Sequence, residues 1–360
     1  MKIAFLGDIA LFGNNTTETT LYQQKFSFIK SILKSYDFVV GNLESPLTKH
    51  TKTIGGKSAY LKGDPRDVEI LKYLNVTHVS LANNHMFDYG IRGLQDTIET
   101  LEHAGIKWFG ANGRTAVIRD NTNTISLMGY CCYSTNGKGL GEKIPCINIF
   151  DPLAIENDII EVVNNGILPI LSIHWGEEHV HYPNIDHVEV ARKLCKDKTI
   201  IIHGHHPHVI QGIEEVSNSI IAYSLGNFCF DDVYTNKSKE PLIRLSKDNM
   251  ESFILVMEIN NNRIINYKPI PFSFREGSYQ TDEGILDKLQ KWSSFLRTNR
   301  AEYIEKRSKD LMAYLNGRRQ MRNFEWYIKR LNVESVKMYL SSKTNRKKYN
   351  EIVRSYINCR

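Results

Sequence analysis

The chain has 360 residues, of which 41% are apolar and 24% charged, and its formal net charge is +6. That length and balance provide a sizeable core, as one large domain or two ordinary ones, and exclude collagen, coiled coil and wholesale disorder. No stretch approaches the roughly 20 uncharged apolar residues of a membrane span, and Met1–Leu6 runs into Gly7-Asp8 without the apolar region of a signal peptide, so a cytoplasmic protein is expected.

The charge is uneven. Residues 276–360 hold 19 Lys/Arg against 10 Asp/Glu, whereas the first 275 residues carry 27 against 30. The basic character therefore belongs to the tail and says little about what the main domain binds. Six cysteines without a CxxC pair, two of them adjacent at Cys131-Cys132, read as reduced thiols.

In chain order, short apolar runs alternate with helical periodicity. The runs are Ile3–Leu6, Phe38–Val40, Val79–Leu81, Lys107–Phe109, Thr124–Met128, Leu168–Ile173, Thr199–Ile202 and Ile220–Tyr223. Between them, Phe28/Ile29/Ile32/Leu33, Val68/Leu71, Leu94/Ile98/Leu101 and Ile155/Ile159/Val162/Val163 predict helices, the last opened by Asp151-Pro152 as N-cap and first-turn proline. Runs buried on both faces and separated by helices predict a layered α/β domain. Ser252–Glu258 and Ile264–Ile270, joined across Asn260-Asn261-Asn262, predict a closing hairpin. Beyond it, Ile285/Leu286/Leu289/Trp292/Phe295/Leu296 and Phe324/Tyr327/Ile328/Leu331 repeat at helical spacing. The expected organisation is a main domain over residues 1–275 and a basic, mainly helical region over 276–360 that can be removed without loss of the site.

The chemistry follows the apolar runs. They lead into Gly7-Asp8, Gly41-Asn42-Leu43-Glu44, Asn83-Asn84-His85, His174-Trp175-Gly176-Glu177-Glu178 and His203-Gly204-His205-His206-Pro207-His208. Strand carboxyl ends in α/β domains converge on one rim, where ligands bind. Eight of the 12 histidines lie between positions 174 and 208, four of them within 203–208. Imidazole, carboxylate and amide oxygen together suit a divalent ion such as Mn, Fe or Zn, which lowers the pKa of water and polarises a phosphoryl or carbonyl oxygen. Taken singly, Asp8 fits a turn or cap, and Asn83-Asn84 fits turn chemistry. His179, His181 and His187 read as facing solvent or flanking the site, and Cys131, Cys132 and Cys229 as buried fillers.

The ordered set Gly7-Asp8, Gly41-Asn42-Leu43-Glu44, Asn83-Asn84-His85 with Asp88-Tyr89-Gly90, His174-Trp175-Gly176, His206-Pro207-His208 and Ser224-Leu225-Gly226-Asn227-Phe228 resembles the capsule-synthesis CapA family of the calcineurin-like metallophosphatases. The resemblance covers residues 1–235 clearly. It implies a four-layer α/β/β/α metallophosphatase-like sandwich with a helical C-terminal appendage and a site for one or two divalent ions at the strand ends. Carried over by position, Asp8, Glu44, Asn84, His174, His206 and His208 are the implied metal ligands, and His85 with Asp8 the implied catalytic pair. His85 would stabilise the transition state or protonate the leaving group. Asn42, Asn83, Asp88, Glu178, His205 and Asn227 would flank the ligands or touch substrate. The chain departs from the general metallophosphatase pattern at Ala10, where a histidine is usual, and at Asn42, where a metal-bridging Asp is usual; a neutral amide bridges two cations less strongly.

The function implied is a metal-dependent hydrolase in which metal-activated water attacks a phosphoester or amide of an anionic polymer or precursor, linked to capsule or poly-γ-glutamate biosynthesis. The alternative is a non-catalytic component of a polymer synthesis or export assembly. Nucleic acid is not an expected partner, because Trp292, Trp326 and Tyr327 in the basic tail fall at helical core spacing.

Overall fold

The computed structural model describes residues 1–19, 21–141, 143–235, 238–320 and 333–358. Its strands are β1 (Lys2–Ile9), β2 (Phe38–Leu43), β3 (His78–Ser80), β4 (Lys107–Phe109), β5 (Ala116–Arg119), β6 (Thr124–Cys131), β7 (Leu168–His174) and β8 (Ile201–His205), followed by β9 (Ile213–Val216), β10 (Ser219–Ala222), β11 (Asn227–Cys229), β12 (Val233–Thr235), β13 (Ser238–Ile243), β14 (Glu251–Asn260), β15 (Arg263–Arg275) and β16 (Ser278–Thr281). One sheet runs β16-β15-β14-β1-β2-β3-β4 with β11 beside β1, and a second runs β5-β6-β7-β8-β10-β9. Within the first sheet β1 to β4 are parallel, and within the second β6, β7, β8 and β10 are parallel.

Alternation along each strand builds the layers. Ile3 and Phe5 of β1 meet Ile125, Leu127, Ile170 and Ile201 between the two sheets. Their neighbours Ala4 and Leu6 point the other way, onto a core shared with α1 (Tyr22–Leu33), α2 (Val68–Tyr73) and α3 (Gly90–His103). On the second sheet Met128, Leu171, Ile173 and Ile202 face outward, toward α4 (Pro152–Asn164) and α5 (Ile185–Cys195). A period of two residues buried on both sides thus produces helix, sheet, sheet, helix, the four layers expected. Asp151 caps α4 as predicted, accepting from Leu153 N and Ala154 N. The β14–β15 hairpin turns through Asn261 and Asn262 at φ 50° and 56°, the left-handed conformation that asparagine tolerates best after glycine. The sequence pattern missed β5, β9, β11, β12, β13 and β16, mostly short or edge strands with little apolar alternation.

The tail is more than an appendage. Helix α6 (Gly284–Phe295) sends Ile285 and Leu289 into the core between the sheets. Leu296, Tyr303, Tyr349, Val353 and Tyr356 join the outer core of the second sheet; Tyr303 belongs to α7 (Arg300–Gln320) and Tyr349 to the helix Val333–Tyr349. The packing crosses the boundary at 275, so cutting there is expected to expose buried apolar surface on both sides. The predicted repeat Phe324/Tyr327/Ile328/Leu331, with Trp326 and Cys359, lies outside the described residues. Among the described residues no helix is long and apolar enough to cross a membrane. Cys131, Cys132, Cys195 and Cys229 are free and buried.

His187 also differs from its reading as solvent-facing or flanking the site. It is buried, stacks on Trp175 at 5.1 Å and 10°, and lies 3.3 Å from the Tyr349 hydroxyl. Burial, with smaller contributions from Arg307 and His206, pushes its pKa down to about 3. Between pH about 6.5 and about 3 the unfolded chain therefore binds a proton at His187 that the folded chain does not, and stability falls as pH falls through that window, by about 2 kcal/mol at pH 5.

Two outcomes are expected. His187→Gln should flatten the loss of stability between pH 7 and pH 5, read from urea midpoints at both pH values against wild type. The fragment 1–275 should show a lost or strongly lowered thermal transition by circular dichroism; a native-like transition in that fragment contradicts the shared cores.

Candidate metal centre

Each site residue is delivered by a strand end or the turn after it. Asp8 sits near the end of β1, paired across to Asn227 of β11 and Asn42 of β2. The preceding Gly7 is required by this approach: a Cβ there would stand 2.0 Å from Gly226 O. Gly204 allows the same closeness on the other sheet, where a Cβ would meet Tyr223 O at 2.0 Å. Glu44 follows β2, with its N–H donating to Ile9 O. His174 ends β7. His206 and His208 sit in the turn after β8 with φ of 96° and 56°, an unfavourable backbone for non-glycine residues that turns the His206 N–H onto Asp8 Oδ2 at 3.1 Å.

These residues converge. Asp8, Glu44 and His174 are buried, with one potential ligand atom from each lying within 4.8 Å of the others. His174 Nδ1 is 3.7 Å from Glu44 Oε1, His208 Nδ1 is 3.5 Å from Asp8 Oδ2, and His208 Nε2 is 4.0 Å from Glu44 Oε2. The His206 ring lies 4.7 Å from that of His174. Asn84 Oδ1 accepts from His174 Nε2 at 2.9 Å, which leaves Nδ1 as the lone-pair nitrogen on the carboxylate side. The Asn42 amide donates to Asp8 Oδ1 at 2.8 Å and to His174 Nδ1 at 3.3 Å. An amide that donates to a carboxylate and a histidine holds both in place, a different task from the metal bridging of an Asp at that position.

The flanking residues divide by contact. Asn83 braces the turn: Nδ2 donates to Leu43 O and Asn42 Oδ1, and Oδ1 accepts from the His85 and Met86 N–H groups. Asn227 accepts from His208 Nδ1 at 2.9 Å. His205, at the end of β8, sets Nδ1 3.2 Å from Asp8 Oδ1 with Nε2 3.1 Å from the Ser172 hydroxyl. His85 Nδ1 pairs with Asp88 Oδ2 at 2.8 Å, which leaves Nε2 for the cleft that His85 lines with Glu178, His179, His208 and Asn227. The opposite wall of the cleft is apolar, from Ala59, Leu61, Phe230, Val233, Ile243 and Leu245. Pattern reading missed Lys57, whose Nζ donates to Asp88 Oδ1 and to Asn84 O and lies 3.2 Å from His85 Nδ1. A single lysine in a loop after β2 carries no signal in sequence.

Electrostatics decide what the pocket can hold. Burial alone would raise the Asp8 pKa, but His205, then His208 and His174, hold it well below the usual carboxylate range. Glu44 moves the other way, raised by burial, by the Asp8 carboxylate and by Glu178, with Lys57 opposing. Burial also depresses His174, and His206 to about 3. Among the described residues neither carboxylate oxygen of Glu44 has a hydrogen-bond partner. Left to itself the protein ionises one of the two carboxylates comfortably; a cation beside both lets each ionise and satisfies the orphaned oxygens. The donor set of two carboxylates with imidazoles fits a divalent ion.

With that geometry in hand, comparison places the chain. The family described as "Bacterial capsule synthesis protein PGA_cap" matches residues 2–232. The chain belongs to this family. Among curated relatives it is 30% identical over 255 residues to the PGA biosynthesis protein CapA of Bacillus subtilis, covering 68% of this chain and 67% of that one. It is 28% identical over 339 residues to the capsule biosynthesis protein CapA of Bacillus anthracis, covering 86% and 80%. Among solved structures it overlaps a putative 5'-nucleotidase of Staphylococcus aureus at TM-score 0.47 and 13% identity, covering 82% of this chain and 59% of that one. It overlaps the calcineurin-like phosphoesterase YfkN of Bacillus subtilis at TM-score 0.42 and 13% identity, covering 83% and 99%. The PGA_cap match ends at residue 232, whereas the match to the Bacillus anthracis relative, over 86% of this chain, runs on into the tail.

Glu44→Gln is the sharpest test of the centre. It keeps the shape and removes the buried charge, so Mn affinity should fall by more than the roughly 10–100-fold typical of losing a group outside the ligand set. The metal-free thermal midpoint should hold or rise, because the orphaned carboxylate is gone. Calorimetric Mn titration with parallel melts of the metal-free proteins measures both; unchanged Mn affinity would remove Glu44 from the centre.

Proposed function

We propose that this chain is a metal-dependent hydrolase of capsule or poly-γ-glutamate production, acting on a phosphoester or an amide of an anionic polymer or its precursor. One observation carries the reading: the fully buried Glu44 carboxylate, without a hydrogen-bond partner at either oxygen among the described residues, stands among Asp8, His174 and His208, the last of which also lines the cleft. The names of the two CapA relatives supply the biosynthetic setting. The free, buried cysteines fit a reducing compartment, and we place the protein in the cytoplasm.

In this reading Asp8, Glu44, His174, His206 and His208 hold one or two divalent ions, with Asn84 beside them. A bound divalent ion supplies Lewis acidity toward a phosphoryl or carbonyl oxygen and lowers the pKa of water. The protein's own groups do the rest. Asn42, Asn84 and Asn227 fix the orientations of His174 and His208. Asp88 and Lys57 hold His85 with Nε2 available to the cleft. Burial, reinforced by Lys57 and opposed by Asp88, lowers the His85 pKa, so the resting imidazole is neutral. His85 would therefore take up at Nε2 the proton that the attacking water loses and pass it to the leaving atom.

The test is metal analysis of the purified protein followed by a phosphodiester, monoester and γ-glutamyl amide screen with added Mn. His85→Gln should keep metal stoichiometry and lower turnover by about 10²–10⁴-fold. His206→Ala should lose metal and turnover together. Wild type that binds no metal and turns nothing over would favour a non-catalytic part in a polymer assembly; full activity in His85→Gln would end the proton-transfer role.

A further inference from the structure

The segment between His174 and α5 carries Glu178 and His179 to the cleft, and the C-terminal helices grip it along its length. The Arg307 guanidinium pairs with Glu177, and its Nε donates to Pro183 O at 3.1 Å. The Tyr303 hydroxyl donates to the same Pro183 O at 2.8 Å, in a buried contact. Asp310 Oδ2 accepts from the His181 N–H at 2.9 Å. The rings add to this: Tyr314 lies 5.2 Å from His179, Trp292 stacks on His181 at 4.1 Å and 9°, and Tyr182 packs edge-on to Phe295 at 5.6 Å. From the other side, the segment is pinned to the body of the site by the His179 N–H on Pro207 O at 2.7 Å and by Asn249 against His179 Nδ1 at 2.9 Å. His179 itself has φ of 61°, a conformation that needs surrounding contacts to persist.

We infer that α6 and α7 set the substrate specificity of the cleft, with Arg307 and Asp310 as positioning residues that hold the Glu178–His179 wall at a fixed distance from His85 and His208. The inference rests on the hydrolase reading above for what the cleft binds, but not for the clamp itself. All of the clamping residues lie beyond residue 232, where the PGA_cap match stops. The ligand-bearing strand ends lie within the PGA_cap match, while the Glu178–His179 wall of the cleft is braced by helices that lie beyond it. Order in this wall stabilises substrate binding without touching the reacting atoms, so its loss separates KM from kcat.

The experiment uses the full-length, Mn-loaded protein in three forms: wild type, Arg307→Ala/Asp310→Ala and Asp310→Asn. In the double variant, hydrogen exchange over residues 177–184 should speed up by at least about tenfold while Mn affinity stays within about twofold. On a substrate from the screen, KM should rise about tenfold with kcat within about threefold of wild type. Asp310→Asn should behave as wild type in all three measurements, because its amide oxygen still accepts from the His181 N–H; a purely charge-based or global-stability role would not spare it. Unchanged exchange in the double variant overturns the clamp, and faster exchange with unchanged KM overturns the specificity role. A parallel fall in Mn affinity would assign α7 to the metal centre instead and overturn it as well. Absence of turnover in wild type ends the hydrolase reading, and the exchange result alone then decides the clamp.

Discussion

Two carboxylates buried side by side are the constraint around which the rest is arranged. Asp8 lies in β1, Glu44 directly follows the neighbouring parallel strand β2, and both are fully buried. Their pKa values are driven apart, Asp8 down and Glu44 up. Burying like charges together is costly unless something positive or donating faces them. The protein answers unequally. Asp8 receives the Asn42 amide, the His206 N–H and two nearby imidazoles. Among the described residues Glu44 has no hydrogen-bond partner at either oxygen. This asymmetry suits a cation beside both carboxylates, and the strained His206 and His208 backbone lies at the same point.

The surrounding asparagines serve that constraint. Asn42, Asn83, Asn84 and Asn227 each combine a donor and an acceptor, and together they tie β2, the turn after β3, the end of β7 and the turn after β8 into one network. Charged side chains in those places would add to the repulsion between the carboxylates. Neutral amides fix geometry without changing the net charge. Asn42 illustrates the point: where a general metallophosphatase places a carboxylate, this chain uses an amide whose two hydrogens reach Asp8 and His174. Lys57 offsets the negative charge from the far side, through Asp88 and the Asn84 carbonyl.

The C-terminal region shows how composition misleads about architecture. Its surplus of lysine and arginine reads as a helical region removable from the main domain, yet Tyr303, Tyr349 and Tyr356 fill the outer core beside α5. Charged residues dominate the count because a helix buries a narrow stripe and exposes the rest. Arg307 is one of the positive charges, but it lies along the loop from Glu177 to Pro183 rather than in bulk solvent.

The sequence by itself determined the layers and the address of the site. Apolar runs buried on both faces, interrupted by helical periodicity, leave a four-layer α/β arrangement as the way to cover every face, and the polar clusters after those runs had to gather at the strand ends. Asp8, Glu44, His174, His206 and His208 were legible for that reason. Tertiary structure alone decided which side chains hold and which are held: that His205 backs Asp8, that Asn84 orients His174, that Lys57 supports His85 and that His187 is a core residue. These roles depend on distances between segments far apart in the chain. A strand's period reports which face a residue takes, but not which partner from another strand, loop or helix lies across from it.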